Sequence, residues 1–261
     1  MHKCTHSAYD NICKVKILIL VMKAPYAPWD QLFENCAERT WAQTKQLDCN
    51  LKILKYCGNP LPRIVRRAIL FIQSRSKLKF LWYRQRVLFP KAQLKQDTIT
   101  VEIYDTWNSM FKKFLGALAW ILKNEEFDYL VRINSTAYIN LDNLRTFLET
   151  KVDYAGPSNG KKFASGWAII LSRNAVERMV EYVKVNRFMP VRSDDHIVSE
   201  VMKKNNMEIT FFPATNYGEG ILVNKKSLEK FVMIRVKNVT PSRPVLDSRA
   251  FARIHYALAS G

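Results

Sequence analysis

Glycine is scarce in this chain, eight among 261 residues, and its placement removes two common nucleotide sites. Dinucleotide and P-loop folds need a GxGxxG or GxxxxGK[ST] run so that backbone amides can close on phosphate. The nearest approach, Gly218-Glu219-Gly220, has no third glycine. Histidine is scarcer still, and His2, His6, His196 and His255 form no HExxH pair. No GxSxG elbow occurs either, which argues against a zincin or an α/β-hydrolase. The five cysteines (4, 13, 36, 49 and 57) lack a CxxC pair and any zinc-ligand spacing. They read as reduced thiols, which gives a cytoplasmic expectation for the chain.

Long apolar runs are missing as well. The run at 15–22 falls far short of the roughly 18 apolar residues of a membrane span. No small-residue cleavage site follows it, so it reads as a buried strand rather than a signal peptide. Acidic residues are also in deficit: 23 Asp and Glu stand against 41 Lys and Arg, a formal charge of +18. Such a balance attracts an anionic partner: nucleic acid, a membrane surface or a phosphorylated small molecule. What is plentiful is apolar side chain, 48% of residues, enough for a full core. The length suits one domain over 1–261, with 1–14 as a polar leader.

Periodicity gives the order of elements. Strands are expected at 15–22, 51–56, 78–83, 98–103, 128–133, 167–171, 209–212 and 232–236. Helices are expected at 29–45, 62–74, from Asp105 for about 18 residues, at 140–148, 173–185, 193–203 and 247–259. Cys57-Gly58-Asn59-Pro60 marks a turn. The alternation predicts an α/β fold with a mainly parallel central sheet and helices on both faces, Rossmann-like in outline.

Four segments then occur in an informative order. Asp105-Thr106-Trp107-Asn108-Ser109-Met110-Phe111-Lys112-Lys113 opens the long helix. Phe127-Asp128-Tyr129-Leu130-Val131-Arg132-Ile133 runs directly into Asn134-Ser135-Thr136-Ala137-Tyr138-Ile139-Asn140. Phe163-Ala164-Ser165-Gly166-Trp167 leads the strand ending at Leu171-Ser172, and Ser193-Asp194-Asp195-His196 starts a late helix. Each alone has a plain explanation as a cap, a turn or an acidic first turn.

Together they resemble the β-1,3-galactosyltransferase and Fringe group of GT-A-fold glycosyltransferases over about residues 97–217. Asp105, Trp107 and Lys113 match that group's D-x-[YW]-x-N-x-x-x-K helix start, with Ser109 in the Asn place. Ser165, Gly166, Leu171 and Ser172 match its S-G-x-x-[YF]-x-[LI]-S strand, with Ile169 in the aromatic place. Asn134, Ser135 and Thr136 stand where the group carries the acidic triplet that holds a metal against the donor diphosphate. Hard cations prefer carboxylate oxygens, so no metal ligand is assigned, and at most a weak Mn²⁺ or Mg²⁺ dependence is expected.

The resemblance implies an inverting transferase that moves a sugar from a nucleotide-sugar donor, such as a UDP-sugar, to a glycan or lipid-linked acceptor. It assigns the general base to Asp195, with Asp194 as alternate. Donor contacts are expected from Lys23, Asp105, Arg132, Asn134, Ser135, Thr136, Arg235 and Lys237, the cations neutralising the leaving group in place of a metal. Phe163, Ser165, Gly166 and Trp167 should border the acceptor. Two other readings remain open: a non-catalytic nucleotide-sugar or glycan-binding module on the same fold, and a basic nucleic-acid-binding protein. The mixed basic and aromatic run at 77–86 prompts the latter, although a core strand with basic flanks explains it better, so nucleic acid is not the expected partner. The charge also suits peripheral contact with anionic lipid.

Overall fold

The computed structural model describes residues 15–26, 29–46, 48–62, 85–86, 89–106, 109–158, 162–188, 193–218, 224–238 and 242–259. The expected leader and the strand at 78–83 lie outside these, as does Trp107. So does the helix expected at 62–74, except for Pro62 at its very start. Strand β1 (Ile17–Met22) is the centre of the molecule. Its alternation sends Ile17, Ile19 and Val21 into one core and Leu18 and Leu20 into the other, as a strand covered on both faces requires.

Around β1 lies an eight-stranded sheet. Its other members are β2 (Leu51–Asn59), β4 (Ala92–Lys95), β5 (Thr98–Tyr104), β6 (Tyr129–Asn134), β8 (Tyr154–Pro157), β9 (Ala168–Ser172) and β11 (Ile209–Phe212). The order across the sheet is β11-β8-β9-β6-β1-β2-β5-β4. β1 runs parallel to β2 and β6, β2 to β5, and β11 to β8. β9 is antiparallel to β6 and β8, and β4 to β5. The sheet is therefore mixed, where a mainly parallel one was expected. Apolar runs such as 168–171 reveal burial on both faces but carry no mark of strand direction.

Two small sheets accompany it. One pairs β3 (Gln85–Arg86) with β10 (Arg187–Phe188). The other has β13 (Met233–Val236) between β7 (Ala137–Ile139) and β12 (Ala214–Tyr217). On one face of the main sheet lie α1 (Leu32–Cys36), α3 (Leu141–Leu148) and α7 (Arg243–Ala259), beyond the short α6 (Lys225–Leu228). The other face carries α2 (Met110–Asn124), α4 (Arg173–Val185) and α5 (Asp194–Lys204). Helix α2 buries Phe111, Phe114, Leu115, Leu118 and Ile121, the helical spacing that the sequence displays. Asn140 and Ser172 cap α3 and α4 by accepting from Asn143 N and Ala175 N.

Three local expectations change. The helix expected at 29–45 is broken into 3₁₀ turns on either side of the five-residue α1. The turn at 57–60 is the end of β2, where the register against β5 shifts between Gly58 and Asn59. A Cβ on Gly58 would lie 2.6 Å from the Ile103 carbonyl oxygen, so the two strands close in only because that position is glycine. Finally, α2 starts at Met110 rather than Asp105. No helix among the described residues is long and apolar enough to cross a membrane.

Candidate active site

From β1 the chain builds β2 and β5 to one side and later β6 to the other. The carboxyl ends of β1 and β6 therefore flank a topological switch point, where open α/β sheets bind ligands. Met22 sits in register with Tyr56 of β2 and Asn134 of β6, so these three residues mark the rim of that crevice. Two residues below Asn134, β6 carries Arg132, which is fully buried.

Arg132 is enclosed by partners. Its Nε donates to Tyr56 Oη at 3.1 Å, and Nη2 approaches Met22 Sδ at 3.2 Å. Nη1 donates to the Gly166 carbonyl, and Nη2 forms an ion pair with Asp194. The guanidinium also lies 5.7 Å from the Phe114 ring centroid. Burial works against its charge, but Asp194 and Tyr56 more than offset it and hold its pKa above the usual arginine value. Burial likewise pushes the Tyr56 phenol up to about 12. Asp194 is the first residue of α5 and is itself buried. Expected as donor ligand and alternate base, Arg132 and Asp194 instead satisfy each other beneath the crevice. Neither is open to substrate, because isolated charges cannot be left in such a place and paired ones have no cause to leave it.

Asp195, one residue on, is different. Its side chain keeps 16% of its surface exposed. Oδ2 accepts from the Gly166 amide at 3.1 Å and Oδ1 from the His196 amide at 2.9 Å. A Cβ on Gly166 would stand 3.0 Å from Asp195 Oδ2, so the glycine makes room for the carboxylate. Ser193, at the N-cap position of α5, makes no side-chain cap and instead contacts His196 Nδ1 at 2.6 Å. The His196 ring packs on Phe163 with centroids 4.2 Å apart. Phe163, Gly166, Asp195 and His196 thus converge on one partly open spot. Ser165 is half-buried nearby, whereas Trp167 turns its ring into the core and presents no face to an acceptor.

The neutral triplet forms the other wall. Asn134 Oδ1 accepts from Thr136 N at 3.1 Å and from Thr136 Oγ1 at 3.0 Å, closing the turn between β6 and β7. Thr136 is buried, while Asn134 and Ser135 are half-buried. With Asn134 Oδ1 engaged and only neutral oxygens beside it, the triplet does not fit the carboxylate-rich set that Mg²⁺ or Mn²⁺ takes. Among the described residues, no group of three or more His, Cys, Asp or Glu side chains could hold a metal ion.

Beside the triplet runs β13. Val236 N donates to Thr136 O at 2.9 Å, and Arg235 lies opposite Ala137. Strand alternation puts Arg235 and Lys237 on the same side, the first half-buried and the second exposed. Lys23, at the end of β1, is held by Glu34 at 2.6 Å. Asp105 is engaged within the protein. Both of its oxygens take the buried Lys113 ammonium, at 2.9 and 2.8 Å, and Oδ2 also accepts from Gly58 N at 3.0 Å. The Asp105–Lys113 spacing is thus a latch between the end of β2 and α2. Nothing in the sequence around Tyr56, Met22 or His196 separates them from core or surface residues.

Neither a family model nor a curated protein matches the sequence. Solved structures do. A glycosyltransferase involved in glycosylation of the major capsid of PBCV-1 superposes with a TM-score of 0.52 at 7% identity, over 90% of this chain and 98% of that one. A galactosyltransferase, LgtC, in complex with donor and acceptor sugar analogues aligns over 93% of this chain and 96% of its own, at 8% identity and a TM-score of 0.44. The first of these likenesses shows that the chain shares the fold of that glycosyltransferase.

Proposed function

We propose that this chain is an inverting glycosyltransferase that takes a sugar from a nucleotide-sugar donor, a UDP-sugar in the simplest case. The observation that carries this reading is Asp195. It is the partly exposed carboxylate of the α5 start, fixed by the Gly166 amide beside the switch-point crevice of a glycosyltransferase fold.

In this reading the acceptor hydroxyl lies against Asp195, which takes its proton as general base. The freed oxygen attacks the anomeric carbon from the face opposite the leaving group. The carbon–oxygen bond to the nucleoside diphosphate breaks, and that group departs with the electron pair. Arg235 and Lys237 neutralise its charge without a divalent ion, as fixed cations can. Asn134 and Ser135 contact the donor, and Phe163 with His196 borders the acceptor. Arg132 and Asp194 act as positioning residues: their pair holds the start of α5, and with it Asp195, against Gly166. The excess of basic residues favours a lipid-linked acceptor at an anionic membrane surface.

The test is sugar transfer or donor hydrolysis by the full chain, with a panel of nucleotide-sugars, in chelator and in Mn²⁺. Turnover in chelator, abolished in Asp195→Asn while its melting curve stays that of the wild type, is the expected result. Undiminished turnover by Asp195→Asn would remove the base assignment. Strict dependence on Mn²⁺ would remove the metal-free part. Binding of a nucleotide-sugar with no transfer to any acceptor would favour the non-catalytic binding module.

A further inference from the structure

Helix α7 has two unlike faces. Asp247, Ala250, Phe251 and Ile254 are buried on the inner one. Val245, Arg249, Ala252, Arg253 and Tyr256 are all exposed. At about 3.6 residues per turn these five share roughly a third of the circumference, opposite the buried set. Val245 keeps 54% of its surface exposed, and Tyr256, at 75%, is the most exposed large hydrophobic side chain among the described residues. An outward helix face ordinarily carries polar side chains and charge of both signs. This one carries two arginines, three apolar or aromatic side chains and no carboxylate. The single acid of the helix, Asp247, is fully buried and takes Arg243 Nε at 2.9 Å. No carboxylate among the described residues pairs with Arg249 or Arg253.

The short α6 packs against α7 and adds positive charge beside it. Lys226 and Lys230 are exposed there, while Glu229 lies 3.8 Å from Lys225. The inner side of α7 reaches the crevice wall at two points. Arg243 sits 4.7 Å from the Trp29 ring centroid, beside the loop that follows β1. His255 Nδ1 contacts Tyr138 Oη at 3.0 Å, in the strand that follows the neutral triplet. One helix thus joins the candidate active site to an outer surface that is basic and apolar together.

We propose that the outer face of α7 docks on an anionic lipid bilayer. From Val245 to Tyr256 the stripe runs about 16 Å along the helix axis, so a helix lying flat sets both ends in the interface together. Arginine stems lie along apolar surface while their guanidinium groups reach lipid phosphates. Tyr256 has an apolar ring and a polar tip, which suits the headgroup level. Val245 and Ala252 then meet the acyl boundary. Duplex nucleic acid would engage the arginines but leave those two side chains in water. The inference rests on the proposed transfer only for its purpose, which is to bring the crevice to a membrane that holds the acceptor. Docking itself needs no turnover.

Vesicle flotation of the full chain tests the surface, with phosphatidylcholine alone and with an equimolar mixture of phosphatidylcholine and phosphatidylglycerol. The mixed vesicles should carry the chain and the neutral ones should not. Arg249→Gln with Arg253→Gln should weaken binding about thirtyfold, and reversal of both to Glu should weaken it further. Val245→Ala with Tyr256→Ala should weaken it about tenfold, at low and high salt alike. Lys123→Glu with Lys184→Glu, on α2 and α4 across the sheet, makes the same change in net charge as the double reversal and should keep binding within about twofold of wild type. All these side chains are exposed, so melting should match wild type. No binding to either vesicle, equal binding to both, or a control variant as weak as the double reversal would each overturn the proposal. Intact vesicle binding in the α7 variants would do the same, and loss of DNA binding or self-association in them would then name nucleic acid or a second copy as the occupant. Vesicle binding without transfer of any sugar would sink the transferase reading alone. Transfer to a soluble acceptor without vesicle binding would sink the surface alone.

Discussion

Replacing Asp194 by Asn removes one charge and almost no volume from the floor of the crevice. Arg132 is fully buried, and Asp194 is its only ion-pair partner among the described residues. The Tyr56 hydroxyl and the Gly166 carbonyl would remain, so the guanidinium keeps hydrogen bonds while losing its counter-charge. Breaking a buried pair in this way costs about 3–5 kcal/mol, most of it the desolvation of the charge left behind. For a chain of this size each kcal/mol is worth about 2–4 °C in melting temperature. A fall on the order of 6–20 °C follows, towards the lower end if Tyr56 and Gly166 tighten on Arg132. Thermal melts followed by circular dichroism measure it directly. The double variant Arg132→Met with Asp194→Leu, which removes both charges, should recover part of the loss. A melting temperature within about 2 °C of wild type, the range of an inconsequential surface change, would refute the reasoning and return Asp194 to the list of available bases.

Two further outcomes are open to simple measurement. Gly166→Ala puts a Cβ 3.0 Å from Asp195 Oδ2, so the carboxylate must shift by a few tenths of an ångström; turnover should drop about tenfold with little change in melting, and unaltered turnover would show that the position of Asp195 is not critical. His255 is half-buried with its Nδ1 3.0 Å from Tyr138 Oη, and burial lowers its pKa below the ordinary 6.5. The unfolded chain therefore takes up the proton first. The stability from the neutral ring is present above pH 6.5 and is lost as pH falls through the lower folded value. Melting temperature should decline with acidification in that window, and His255→Gln should flatten the decline; an unchanged slope would assign it to other groups.

Much of the fold is legible in short stretches because its causes are local. The caps at Asn140 and Ser172, the apolar stripe of α2 and the apolar runs of β1, β6 and β9 depend on neighbours within a turn or a few residues. Strand direction is different. β9 runs antiparallel to both of its neighbours, β6 and β8, and no pattern inside an apolar run encodes that. The short strands β7 and β12 are not legible in the sequence for a related reason: at three and four residues they hold too few alternations, and pairing with β13 defines them.

The sequence by itself determined that this chain would alternate strands and helices, bury β1 on two faces, and set acidic residues at the start of a late helix. Only the tertiary structure decided what those residues do. Asp194 and Asp195 are adjacent and chemically identical, yet one is buried against Arg132, 62 positions away, and the other stays partly exposed on the Gly166 amide. Asp105 looked like a donor ligand until Lys113 and the Gly58 amide took its oxygens, and Arg132 looked available until Tyr56, Gly166 and Asp194 surrounded it. Arg235 shows the converse, since its Nε is buried without an acceptor among the described residues, which emerges only when those neighbours are in place. A side chain's type is set by its codon, but whether its charge is compensated or left for a ligand is a sum over long-range contacts, and that sum exists only in the folded chain.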